Sequence, residues 1–234
     1  MENKTDFFEC TIVTAVSSNH FKSSIQLLKS LEKFNTRIVY YDLGLTNEQK
    51  DIIRSFSKVI YEEFDYTKYP KYLNVNICAG EYAWKAPIIK AAANKYKGIV
   101  IWSDSGNIFT NLDSLISVVK QNKLYSATSS GTVNSWTHVN TLERLRVDDN
   151  IKSKPMRNAA CMGFDTDQDL VFDLITQFEK FSLDRDTIAP SGSGRCNHRQ
   201  DQSVFSILYY RHLLNNEFDP ITKYVGYSIH NDID

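Results

Sequence analysis

The strongest constraint on the fold is a series of short apolar β-branched runs separated by stretches of helical period. CTIVTAV (10–16), RIVYYDL (37–43), VIYEEF (59–64) and GIVIWSD (98–104) each read as a buried strand. Between the first two, Ile25, Leu27, Leu28 and Leu31 recur at helical spacing. Between the second and third, Thr46 and Gln49 form the two ends of a capping box, and Ile52, Ile53 and Phe56 supply an apolar face. Residues 86–97 predict a third helix before the fourth strand. A strand-helix alternation of this kind predicts an α/β fold with a mostly parallel, Rossmann-like sheet flanked by helices and joined by right-handed crossovers.

The second half is less regular. Residues 124–128, 159–164 and 224–230 read as strands, 170–181 and 201–214 as helices, and 129–158 as mixed loop and helix. Residues 65–81 and 188–199 read as irregular. No linker of Pro, Gly or Ser divides the 234 residues, so one domain is expected over 1–234.

Composition removes several classes of function. A net charge of -1 with scattered basic residues gives no footprint for nucleic acid. No apolar run approaches the roughly 18–20 residues of a transmembrane helix, and the start MENKTDFFEC has no signal-peptide core. The four cysteines, Cys10, Cys78, Cys161 and Cys196, form no C-x-x-C pair, which argues against a zinc knuckle. Free thiols and a cytoplasmic location are the expectation.

Five segments carry the chemistry. IVIWSDSGNIF (99–109) ends a buried strand on Asp104, Ser105, Gly106 and Asn107, where open α/β sheets bind ligands; a carboxylate there either holds a divalent cation or caps a turn. TIVTAVSSNHF (11–21) runs from strand through a small polar loop into a helix. It offers backbone N–H groups to a nucleotide but has neither G-x-G-x-x-G nor a P-loop. Asp42 closes the second strand, either as a ribose or base contact or as a turn acid. Lys85, beside Trp84, either reaches a phosphate or is solvated. Asp201, after His198 and Arg199, either caps an apolar helix or takes a proton from an acceptor hydroxyl.

In order, the blocks T-A-V-S-S-N-H-F (14–21), Y-D-L-G-L (41–45) and Y-A-W-K (82–85) resemble GT-A glycosyltransferases. The stretch from Trp84 to Leu115 is similar to the helix and D-x-D strand of enzymes of the glycogenin and galactosyltransferase kind. The resemblance implies a GT-A fold, with 1–128 as a nucleotide-sugar-binding half and 129–234 as an acceptor-binding half, and transfer of a sugar from a nucleoside-diphosphate donor, a UDP-sugar, to a glycan or other hydroxyl acceptor. It implies that Thr14, Ala15, Asp42, Lys85, Asp104 and Ser105 contact the donor. It also implies that Asp104 and His230 hold Mn2+ or Mg2+, that Met162 and Gly163 line the acceptor side, and that Asp201 is the base of an inverting reaction or a sugar-positioning residue in a retaining one. The sequence departs from the pattern at the second acid of D-x-D, where Gly106 stands; Ser105 or Asn107 would have to compensate through water. Two rival readings remain at this point: a non-catalytic nucleotide- or sugar-binding module, which the missing acid favours, and a sugar nucleotidyltransferase, which the loop AVSSNHF disfavours by having no glycine or arginine.

Overall fold

A computed structural model describes residues 8–214 and 223–234. The strands are β1 (Cys10–Val16), β2 (Thr36–Asp42), β3 (Val59–Glu63), β4 (Ile99–Ser103), β5 (Ile108–Phe109), β6 (Leu124–Tyr125), β7 (Thr128–Thr132), β8 (Pro155–Arg157), β9 (Cys161–Asp165) and β10 (Tyr227–Ser228). The helices are α1 (Phe21–Leu31), α2 (Asn47–Arg54), α3 (Lys85–Lys95), α4 (Leu112–Asn122), α5 (Val139–Arg144), α6 (Asp149–Ser153), α7 (Asp169–Ser182), α8 (Arg185–Ile188) and α9 (Gln200–Leu214).

The central sheet has the order β3-β2-β1-β4-β9-β6. Strands β3, β2, β1 and β4 are parallel, and β9 runs antiparallel to both β4 and β6. Register aligns Ile12 with Ile38 on one side and Ile101 on the other. Alternate residues of β1 feed two cores. Val13 and Ala15 join the layer of α3, α7 and α9, whereas Ile12 and Val16 join that of α1 and α4. Covering on both faces is why β1 and β4 are apolar almost throughout. Because β9 comes from the second half of the chain, the two halves share one sheet.

The capping box forms as the sequence requires. Gln49 N donates to Thr46 Oγ1 at 3.3 Å, and Thr46 N donates to Gln49 Oε1 at 3.0 Å. Helix α4 is an addition to the sequence reading, although Leu112, Leu115, Ile116 and Val119 are buried at helical spacing and Asn111 caps it. The strand expected over 124–128 is two, β6 and β7, in different sheets. The strand expected over 224–230 shortens to β10, which pairs antiparallel with β5. All four cysteines are free thiols. Among the described residues no helix is long and apolar enough to cross a membrane.

Candidate active site

A cleft of about 600 Å³ opens where β2, β1 and β4 end. The turn after β2 contributes Leu43 and Gly44, the turn after β1 contributes Ser17, Ser18 and Asn19, and the turn after β4 contributes Asp104 to Asn107. The opposite side is formed by the segment before α3, including Val75, Tyr82 and Trp84. That segment is strained: Cys78, Ala79, Gly80, Glu81 and Tyr82 all have positive φ, between 48° and 63°. Left-handed backbone costs roughly 1–2 kcal/mol per non-glycine residue. Three contacts hold it. Trp84 Nε1 donates to Ala79 O at 3.0 Å, Arg195 donates to the Tyr82 hydroxyl at 2.6 Å, and Gln200 Nε2 donates to Glu81 at 3.3 Å.

Asp104 stands at the cleft wall with its side chain 41% exposed. Behind it, Lys85 is buried and opens α3. Its ammonium lies 3.1 Å from Asp104 Oδ1 and 2.7 Å from Asp201 Oδ2, and donates to Ala159 O at 3.1 Å. Burial works against the ammonium, but the two carboxylates outweigh it and raise the Lys85 pKa above the ordinary lysine range. Trp102 Nε1 also donates to Asp104 Oδ1, at 2.7 Å. Both contacts fall on one oxygen, and among the described residues no hydrogen bond or ion pair reaches Oδ2.

The chain's tail closes one side of the cleft. Asn231 N donates to Gly106 O at 2.9 Å, and Gln26 Nε2 donates to Asn231 O at 3.1 Å. Asp234 caps α1, accepting from Lys22 N at 2.8 Å, from Ser23 N and from the Ser23 hydroxyl. His230 and Asp232 thereby face the cleft. His20, Asp232 and Asp234 each bring one potential ligand atom within 4.8 Å of the others.

Of the residues singled out in the sequence, Ala15, Asp104, Ser105 and His230 line this cleft. The others stand elsewhere. Thr14 is fully buried within β1, on the face of Ile12 and Val16. Asp42 turns away from the cleft and accepts from Gly44 N, Leu45 N and the Tyr61 hydroxyl at 2.5–2.7 Å. Burial raises its carboxyl, but these bonds and Lys50 outweigh burial and hold it below the ordinary carboxylate range. Lys85, expected beside the donor phosphates, is walled off behind Asp104. Asp201, expected as a base, is buried against Lys85 and does not line the cleft. Met162 and Gly163 sit inside β9, paired with Trp102 and Ile101, because a central strand has both faces covered. Ala160, just before β9, is the residue of that segment that reaches the cleft. Asp232 was not anticipated; the available signal was the pair Asp232 and Asp234, one residue apart at the end of the sequence.

A family model described as "Protein of unknown function (DUF1647)" matches residues 2–91. No curated protein sequence matches significantly. Solved structures do. A galactosyltransferase, LgtC, in complex with donor and acceptor sugar analogs has a TM-score of 0.56 at 13% identity; the match covers 94% of this chain and 86% of that one. The WbbM bifunctional glycosyltransferase has a TM-score of 0.54 at 12% identity, and this chain spans only 39% of its length. Mouse xyloside xylosyltransferase 1 gives 0.52 at 13%, covering 88% of this chain and 82% of that one. The fold is therefore of the GT-A type, as the sequence blocks imply.

Proposed function

We propose that this chain is a glycosyltransferase that moves a sugar from a nucleoside-diphosphate donor, a UDP-sugar, to a glycan or other hydroxyl acceptor. The observation that carries the reading is the carboxylate of Asp104 at the carboxyl end of β4, on the wall of the cleft of a GT-A fold. Galactosyl and xylosyl transfer named for the similar structures agree with it without fixing the sugar.

Leu43 and Gly44, after β2, and Asp104, after β4, line the cleft on either side of β1, and Asp232 lines it as well. Among the described residues no Lys or Arg lines this cleft. A diphosphate brought against two carboxylates without a counter-charge is repelled. The residues therefore fit a divalent cation, Mn2+ or Mg2+: the free Oδ2 of Asp104 is a hard oxygen ligand, and His230 lines the same cleft. Such a cation would neutralise charge on the leaving diphosphate. Lys85 fixes the orientation of Asp104, and Asp201 holds Lys85. In this reading both are positioning residues. Tyr82 and Trp84 supply aromatic surface for a sugar ring.

The test is a thermal-shift series of UDP and GDP with and without Mn2+, followed by hydrolysis of UDP-sugars. A Mn2+-dependent stabilisation by UDP, larger than by GDP, and slow release of UDP from a UDP-sugar are expected. Stabilisation by GDP alone would overturn the uridine assignment. Nucleotide binding with no donor turnover and no transfer would make the chain a binding module.

A further inference from the structure

Gly106 occupies the place of the second acid of the D-x-D pattern, and the structure shows what stands over it. A Cβ built on Gly106 would lie 2.6 Å from both carboxylate oxygens of Asp232. Gly106 has no left-handed φ that would require glycine, so the absence of a side chain there answers to space and not to backbone conformation. The space belongs to a carboxylate delivered from the tail. The delivery is specific, because Asn231 bonds Gly106 O through both its backbone N–H and its side-chain amide, at 2.9 and 3.3 Å.

Asp232 is also the one member of its cluster left uncommitted. Asp234 is engaged at the N-terminus of α1, and His20 Nδ1 lies 3.8 Å from Asp234 Oδ2. Among the described residues no hydrogen bond or ion pair falls on the Asp232 carboxylate. Among the described residues no Lys or Arg lines the cleft to balance it.

We infer that Asp232 supplies, from the far end of the same chain, the carboxylate that Gly106 removes from the D-x-D position, so that a divalent cation is held between Asp104 Oδ2 and the Asp232 carboxylate. The inference rests on the reading that an anionic nucleotide occupies this cleft. It differs from the sequence expectation, in which Ser105 or Asn107 compensates through water. The side chain of Asn107 is held in place by its Nδ2, which donates to Ser103 Oγ at 3.1 Å and to Ala160 O at 2.7 Å. Two carboxylates on one Mn2+, with remaining positions left to water and phosphate oxygens, suit a hard octahedral cation.

The experiment measures Mn2+ directly, by the electron paramagnetic resonance signal of the free ion titrated with full-length protein, with and without UDP. Even partners that only orient a metal ligand are worth about 10–100-fold in affinity, so removing a ligand should cost at least about tenfold. Asp232→Asn is expected to weaken Mn2+ binding by that amount with an unchanged melting temperature in metal-free buffer. The exchange variant Gly106→Asp/Asp232→Gly moves the carboxylate back to the strand's end and is expected to recover Mn2+ binding. Parent-like Mn2+ affinity in Asp232→Asn, no recovery in the exchange variant, or no Mn2+ binding by the parent would each overturn the inference. Mn2+ binding through Asp232 in a protein that neither binds UDP nor turns over a UDP-sugar would instead sink the glycosyltransferase reading and leave the metal assignment standing.

Discussion

Asp201 Oδ2 lies 2.7 Å from the Lys85 ammonium, and both side chains are shut away from solvent. The pair ties the start of α9 to the start of α3. Through the second contact of Lys85, at 3.1 Å, it reaches Asp104 at the end of β4. A strand of the sheet and two helices of the layer that covers one of its faces are thus locked together at the point where the cleft begins.

Removing the cation from this triad leaves two carboxylates facing each other without a counter-charge. Breaking a buried ion pair by deleting one partner costs about 3–5 kcal/mol. Lys85→Met, close in volume, is therefore expected to lower unfolding stability by that amount in urea titrations. Asp201→Asn should cost less, because Lys85 keeps Asp104 and Ala159 O as partners. Equal losses in the two variants would contradict the view of Lys85 as the centre of the triad.

Asp104 can be tested while Lys85 keeps Asp201 and Ala159 O as partners. Asp104→Asn keeps an oxygen for Trp102 Nε1 but removes the charge. At a UDP concentration near 100 times its dissociation constant, binding stabilises the parent by about 2.7 kcal/mol. The variant should lose the Mn2+-dependent part of that stabilisation in melting curves. Retention of the full effect would place cation binding elsewhere.

The sheet was readable because its strands are local, apolar and bounded by helices of clear period: β1, β2, β3 and β4 follow the runs at 10–16, 37–43, 59–64 and 98–104 closely. Two elements escaped for opposite reasons. Helix α4 carries a regular pattern, Leu112, Leu115, Ile116 and Val119, but it follows the D-x-D-like turn so closely that its period merges with the loop. The tail carries almost no pattern, and its conformation is set by long-range partners such as Gly106 and Gln26. The site divides in the same way. Asp104 announces itself by ending a strand, whereas the burial of Lys85 and Asp201 depends on helices meeting across the fold. Asp232 reaches the cleft only because Asn231 and Asp234 anchor the residues on either side of it.

A pH dependence follows from His198. Its ring is fully buried, accepts from His138 N through Nδ1 at 3.1 Å, and donates from Nε2 to Ile188 O at 2.9 Å. Protonating Nδ1 would destroy the acceptor. Burial lowers its pKa from 6.5 to about 4, with the Ile188 bond opposing. Between these two values the unfolded chain binds the extra proton and the folded one does not. This contribution is therefore complete above pH 6.5 and is lost as pH falls from 6.5 toward 4. A loss of about 3 kcal/mol across that window is expected from this residue. Chemical denaturation of the parent and of His198→Gln at pH 7 and pH 4.5 measures it, and the variant should show the shallower decline. Identical slopes would remove His198 as the cause.

The hinge of the tail is Gly226, with φ +73° and its carbonyl accepting from Thr110 N at 2.8 Å and Asn111 N at 2.9 Å. A Cβ at this position would collide with the Asn111 carbonyl, which is backbone and cannot swing aside. Both the left-handed φ and the collision act against alanine, so Gly226→Ala should destabilise by more than about 1 kcal/mol. The damage should be concentrated where the chain turns onto β5, upstream of His230 and Asp232. Mn2+ affinity is therefore expected to fall together with the melting temperature, although no cleft residue has been altered. Gly194→Ala is the control: nothing lies within 4 Å of its Cβ and its φ is not left-handed, so it should melt and bind Mn2+ as the parent does. If Gly226→Ala loses stability yet keeps parent-like Mn2+ affinity, the tail's docking at Gly226 is not what presents Asp232 to the cleft.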